Sequence, residues 1–176
     1  MSEVNDTLQA EPMKAEDLNS VLEIEKVSFP TPWSENMFLE EMQHRHSRLT
    51  VFRSRGEIVG YMCFWEVLDE AHLLNIAVHP KERGHGYGSQ IMAYLEKVCL
   101  QDGLKRIILE VARRNSMARS LYRKYGFNSI GFRKKYYTAV EDDAIVMEKW
   151  LGNLEGSDAQ PSCGSQDVND RAEDTF

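Results

Sequence analysis

The 176 residues, 42% of them hydrophobic, are enough for one buried core and not two, since domains usually run to about 100 to 200 residues. The net charge of −7 sits at the ends: residues 1–12 carry −3 and residues 152–176 carry −5, which leaves +1 for residues 13–151. That balance gives no basic excess to drive nucleic-acid binding, and apolar runs as short as Ile107–Leu109 and Ile145–Met147 exclude a membrane-spanning helix, which needs about 18 residues.

Residues 1–12 and 152–176, rich in acids and small polar residues, bury too little apolar surface to offset ordering entropy and are expected to be acidic tails flanking one domain over 13–151. Within it, Leu18, Val21, Leu22 and Glu25 fall at helical spacing, and Pro30 and Pro32 end that helix. Ser34 caps a second helix that ends near His44, with Trp33 and Phe38 placed as a hydrophobic staple. The alternation at Leu49 and Val51, the turn residues Ser54–Glu57 and the aromatic, β-branched run Ile58–Leu68 predict an antiparallel hairpin. A third strand, Ala71–Val78, stops at His79–Pro80. From Ser89, the positions Ile91, Met92, Leu95, Val98 and Cys99 trace one helical face that Gly103 closes. Arg106–Val111 is a strand, Asn115 caps a helix carrying Ala118, Leu121, Tyr122 and Tyr125, and strands near Phe127–Tyr137 and Ala144–Trp150 complete the chain. The expected class is α/β (α+β): a mixed, largely antiparallel twisted sheet flanked by helices.

Cys63, Cys99 and Cys163 are odd in number and widely spaced, which suggests neither a disulfide framework nor a zinc ribbon. His44 and His46 have no Cys or His partner at a ligand spacing, so no metal is expected. The polar, acidic start MSEVNDTLQAEP lacks the basic and apolar regions of a secretory signal, and a cytoplasmic location follows as the expectation.

Arg83-Gly84-His85-Gly86-Tyr87-Gly88 lies between a strand and a helix. Glycines let the backbone turn and a ligand approach closely, while the helix start offers unpaired N–H groups and partial positive charge, which suits a diphosphate. A glycine-rich surface turn is the plainer alternative. A dinucleotide fingerprint fits poorly: the glycines follow the strand by six residues, their spacing is GxGxG, and the preceding strands form a meander.

Arg83, Gly86 and Gly88 fill the pattern [QR]-x-x-G-x-[GA], and on that loop the chain resembles the Gcn5-related N-acetyltransferase (GNAT) superfamily. Leu73–Pro80, Leu109–Val111, Asn115–Ala118 and Leu121–Phe127, with Ser28–Ser34 and Arg133–Tyr137, resemble successive segments of its ribosomal-protein alanine N-acetyltransferase (RimI-type) subgroup, over about residues 13–151. The resemblance implies acetyl-CoA as co-substrate, held by Ile76, Ala77 and Val78 and by Arg83, Gly84, His85, Gly86, Tyr87, Gly88 and Ser89, with Val78 N–H as an oxyanion donor. Asn115 either caps its helix, touches the cofactor, or does both.

By the same resemblance Glu110 is the general base and Tyr122 the general acid. On the residues alone, Glu110 is either a strand-end acid facing solvent or a partly buried carboxylate, and Tyr122 either a core aromatic or a catalyst. Phe29, Trp33, Asn75, Tyr136 and Tyr137 would line the acceptor groove, and Glu141, Asp142 and Asp143 would attract a basic peptide or form a solvated turn. The implied acceptor is the N-terminal peptide of ribosomal small-subunit protein eighteen, acetylated on its alanine by a monomer or weak dimer. An α-amine, with a pKa of about 7.7 to 8, is partly neutral in cells, unlike a lysine amine near 10.4. Lysine, polyamine and antibiotic amines are the alternative acceptors. An acyl-CoA-binding sensor and a module that recruits partners through its tails are the alternative functions.

Overall fold

The computed structural model describes residues 8–137 and 142–152, with side chains for 8–134 and 143–152. In chain order the elements are β1 (Gln9–Pro12), a short 3-10 turn (Ala15–Asp17), α1 (Leu18–Ser28), α2 (Glu35–Gln43), β2 (Ser47–Ser54), β3 (Glu57–Val67) and β4 (Glu70–Val78). A second 3-10 turn (Pro80–Glu82) leads to α3 (Tyr87–Gln101), followed by β5 (Arg106–Ala112), α4 (Ser116–Lys124), β6 (Asn128–Tyr137) and β7 (Asp142–Trp150). The strands form one seven-stranded sheet in the order β1-β2-β3-β4-β5-β7-β6. Every neighbouring pair is antiparallel except β4–β5, the pair that α3 connects.

Both faces of the sheet are covered. On one face α1 and α2 pack Val21, Ile24 and Phe38 against Val51, Tyr61, Cys63 and Ala77. On the other, α3 packs Ile91, Met92, Leu95 and Cys99 against Met62, Phe64, Leu73, Ile107 and Leu109, and Tyr122 of α4 joins the same cluster. Strand β3 contributes to both clusters by alternation, so its run Val59–Phe64 is buried without a break. Cys63 and Cys99 are core residues on opposite faces, and burial pushes each thiol up to about 12.

Gln9–Pro12, expected within a tail over 1–12, instead pair with Thr50–Arg53 as an edge strand. Four residues are too few to carry an alternation signal, and contacts distant in sequence hold them. Arg53 pairs with Glu11 at 3.2 Å and also with the buried Asp17, while Leu8 N–H donates to Gln90 Oε1 at 3.1 Å. Residues 1–7, all but Gly152 of the expected tail over 152–176, Cys163 and Glu141 lie outside the described residues. The second helix follows its sequence signals: Ser34 Oγ accepts from Met37 N–H at 3.4 Å, and the Trp33 and Phe38 rings meet at 5.3 Å.

Candidate active site

Strands β4 and β5 pair only over Glu70–Leu73 and Arg106–Leu109, and beyond Leu73 they part. The change begins at a bulge on β4, where Cys63 opposes Asn75 and Phe64 opposes Leu73, leaving Leu74 as the extra residue. Two cavities open along this parting, and Ser28, Phe29, Ile76, Asn115, Ala118 and Tyr122 line both.

The larger cavity, about 550 Å³, runs from Ile76, Ala77 and Val78 of β4 past Arg83, Gly84 and Gly86 to Tyr87, Gly88 and Ser89 of α3. Its far wall is Asn115, Met117, Ala118, Leu121 and Tyr122. Gly86 caps α3 with φ +78°, a left-handed conformation that leaves the first N–H groups of a 15-residue helix facing this end. A Cβ on Gly88 would lie 3.3 Å from Leu121 Cδ2, so the bare backbone keeps α3 and α4 close. Arg83 Nε donates to Val78 O at 3.2 Å, which brings a cation to the helix start. Tyr125 OH donates to Ser89 O at 2.6 Å and ties α4 to the first turn of α3. The Tyr87 ring is buried, its hydroxyl 2.9 Å from Ser54 Oγ, and anchors the loop from below. A helix start with its dipole, an arginine and a close backbone together fit a diphosphate. His85 does not line this cavity; its ring stacks on Tyr87 at 5.7 Å and its Nδ1 lies 3.1 Å from Glu82 O.

The second cavity, about 390 Å³, lies between Phe29–Thr31 of the α1–α2 loop, Leu73–Ile76 of β4, Leu109–Ala112 of β5, and the start of α4. Glu110 lines it with a side chain 23% exposed, neither free in solvent nor fully buried, and its Oε1 lies 3.0 Å from Arg133 Nη1. Arg133 reaches it diagonally across β7, where Arg133 pairs with the buried Ala144 and Glu110 with Val146. Tyr122 is 5% exposed, packs on Phe127 at 5.9 Å and sits where the cavities join. Asn115 Oδ1 accepts from Ala118 N–H at 3.1 Å, so it caps α4 and lines both cavities at once. Phe29 and Asn75 are in the groove; Trp33 is not, because its ring is spent on the Phe38 staple. The side chains of Tyr136 and Tyr137 lie outside the described residues. Spacing alone did not single out Gly60, where an added Cβ would lie 2.7 Å from Ala77 O, the bulge that sets Leu74 in the smaller cavity, or the partners of the buried Glu25, which include Asn75.

The sequence matches the model of the Acetyltransferase (GNAT) family over residues 18–127. It is 34% identical over 142 residues to the ribosomal protein bS18-alanine N-acetyltransferase of Haemophilus influenzae, covering 79% of this chain and 96% of that one. To the Escherichia coli protein of the same name it is 31% identical over 137 residues, covering 77% and 92%. The crystal structure of the ribosomal-protein-S18-alanine N-acetyltransferase from Escherichia coli superposes with a TM-score of 0.77 at 29% identity, covering 87% of this chain and 99% of that one. Ard1 from Thermoplasma volcanium shares the fold at a TM-score of 0.76 and 24% identity. With a glycine-rich loop and helix start at one end of a parted parallel pair and a carboxylate-lined groove at the other, the chain belongs to the GNAT family of N-acetyltransferases, which take their acetyl group from acetyl-CoA.

Proposed function

We propose that this acetyltransferase modifies the N-terminal α-amine of a cytoplasmic protein, and that its acceptor is the N-terminal alanine of ribosomal protein bS18. The observation that carries this reading is the meeting of the two cavities at Tyr122, with Glu110 in the arm that the donor loop does not serve. The names of the relatives at 31% and 34% identity supply the acceptor.

The donor's diphosphate binds the α3 start and Arg83, and its arm lies along Ile76–Val78. The acceptor amine enters between Phe29 and Asn75. Glu110 takes one amine proton as the nitrogen attacks the thioester carbonyl, directly or through water. The Val78 N–H stabilises the resulting oxyanion, and collapse breaks the C–S bond. Tyr122, a phenol whose ordinary pKa near 10 lies above that of a thiol at about 8.5, gives its proton to the departing thiolate. A carboxylate base suits an α-amine, which needs less help to lose its proton than a lysine amine.

Mass spectrometry of a short basic peptide with a free N-terminal alanine and an internal lysine, incubated with the protein and acetyl-CoA, tests this. Acetylation of the alanine amine alone is expected. Acetyl on lysine only, or on neither amine, would overturn the proposed acceptor.

A further inference from the structure

Glu25 is an acid with 1% exposure in the last turn of α1, and the steps above do not use it. Its Oε1 accepts from the backbone N–H of Trp33 at 2.7 Å, its Oε2 from the hydroxyl of Tyr61, and Asn75 Nδ2 approaches the two oxygens at 3.4 and 3.3 Å. These partners are neutral donors from three parts of the chain: the α1–α2 loop, β3 and β4. Burial and the adjacent carboxylate push the Tyr61 phenol far above its usual range, so it stays a donor.

Burying a carboxylate among neutral groups is expensive, and a packed apolar side chain would serve the core at less cost. What an apolar residue cannot do is fix the two elements that Glu25 joins. The α1–α2 loop supplies Phe29, Pro30 and Thr31 to one wall of the smaller cavity, and β4 supplies Asn75 to another. A carboxylate is acceptor-only, so it also decides the orientation of the Asn75 amide: Nδ2 is turned to Glu25 and Oδ1 away from it. That leaves an accepting oxygen on a groove residue, suited to the N–H of an amine or of the first peptide bond.

We infer that Glu25 is the positioning residue of the acceptor groove, setting the spacing of its two walls and the orientation of Asn75 so that a peptide amine is held for transfer. This rests on the smaller cavity being the acceptor site. Glu25→Gln keeps the size of the side chain but places N–H donors where donors already converge, so the Trp33 backbone or the Asn75 amide must withdraw. The diphosphate loop, tied down by Tyr87 and Tyr125, has no part in this network.

The experiment compares wild type, Glu25→Gln and Tyr61→Phe, measuring peptide KM and kcat with an N-terminal-alanine peptide and acetyl-CoA Kd by calorimetry. The expected result for Glu25→Gln is a peptide KM raised about tenfold, as the loss of one good hydrogen bond gives, with the acetyl-CoA Kd unchanged within about twofold. Tyr61→Phe, which removes one donor and keeps the core filled, raises the same KM by a smaller factor and decides the matter if the glutamine variant does not fold. A folded variant with an unchanged peptide KM, or with peptide KM and acetyl-CoA Kd raised alike, would overturn the inference. A wild type that acetylates no N-terminal amine would instead overturn the proposed function, and this inference with it.

Discussion

Replacing Gly60 with alanine tests how β3 supports the donor cavity. Gly60 pairs with Val78, and its backbone dihedrals are open to any residue, so the demand for glycine is one of space alone. An added Cβ would lie 2.7 Å from Ala77 O, 3.2 Å from Ile91 Cδ1 and 3.5 Å from Val78 Cα. The Ile91 methyl can rotate aside, but the Ala77 carbonyl is main chain and must retreat by about 0.7 Å, from 2.7 Å to the 3.4 Å where ordinary contact begins. Overpacking of this kind costs about 1–3 kcal/mol, against which the stiffer unfolded chain returns about 0.4–1 kcal/mol. A net loss near 1.5 kcal/mol lowers Tm by about 3–6 °C in a domain of this size. Ala77 and Val78 line the larger cavity, so in the proposed mechanism the same shift reaches the thioester, and misplacements on this scale lower kcat/KM by about ten- to a hundredfold. Thermal unfolding followed by circular dichroism, with steady-state acetylation on the folded variant, reads both effects. A Gly60→Ala protein with wild-type Tm and wild-type kcat/KM would refute the steric reasoning.

Glu110→Gln is expected to lower kcat/KM on an N-terminal-alanine peptide by about 10² or more at neutral pH while leaving acetyl-CoA affinity unchanged; full activity across pH 6 to 9 would remove the residue from the role of base. Tyr122→Phe is expected to lower kcat by at least about tenfold; an unchanged rate would leave Tyr122 a packing residue. Cys63 and Cys99, with thiols raised from 9.0 to about 12, are expected to resist alkylation at pH 8 in the folded protein and to react on unfolding, as site-resolved mass spectrometry would read. The folded state holds those protons more tightly than the unfolded one, so the two thiols make stability fall as pH rises from about 9 towards 12 and leave it untouched below. A flat stability profile across that window, or rapid labelling of the native protein, would contradict their burial.

The parts of the site that were legible in the sequence are local ones. The loop Arg83–Gly88 carries its glycines, its cation and its helix start within six residues, and Asn115 and Tyr122 share one short helix, so spacing alone brings them together. Glu110 was readable as a choice between two environments, and the structure places it between them, lining a groove and paired with Arg133. The misses depend on partners far along the chain. Strand β1 exists because of β2, some forty residues on, and Gly60 is required by a carbonyl on the neighbouring strand. The Leu74 bulge is a mismatch between two strands that neither announces by itself. Glu25 did leave a trace: an acid at the apolar spacing of Leu18, Val21 and Leu22 is a buried charge in waiting, although its partners Tyr61 and Asn75 were beyond local reasoning. His85 and Trp33 are expected site residues that line neither cavity. Each lies inside a motif whose neighbours line a cavity, but the His85 ring stacks on Tyr87 and the Trp33 ring packs at a tilt on Phe38.

The most direct measurement of whether donor and acceptor meet at Tyr122 is calorimetric binding of a bisubstrate compound, coenzyme A joined through an acetyl bridge to the α-nitrogen of an alanine peptide. If the two cavities serve one reaction, linking the ligands makes the second binding event intramolecular, and the compound is expected to bind at least about 10²-fold more tightly than coenzyme A. Binding no tighter than coenzyme A alone would contradict the joined-cavity account.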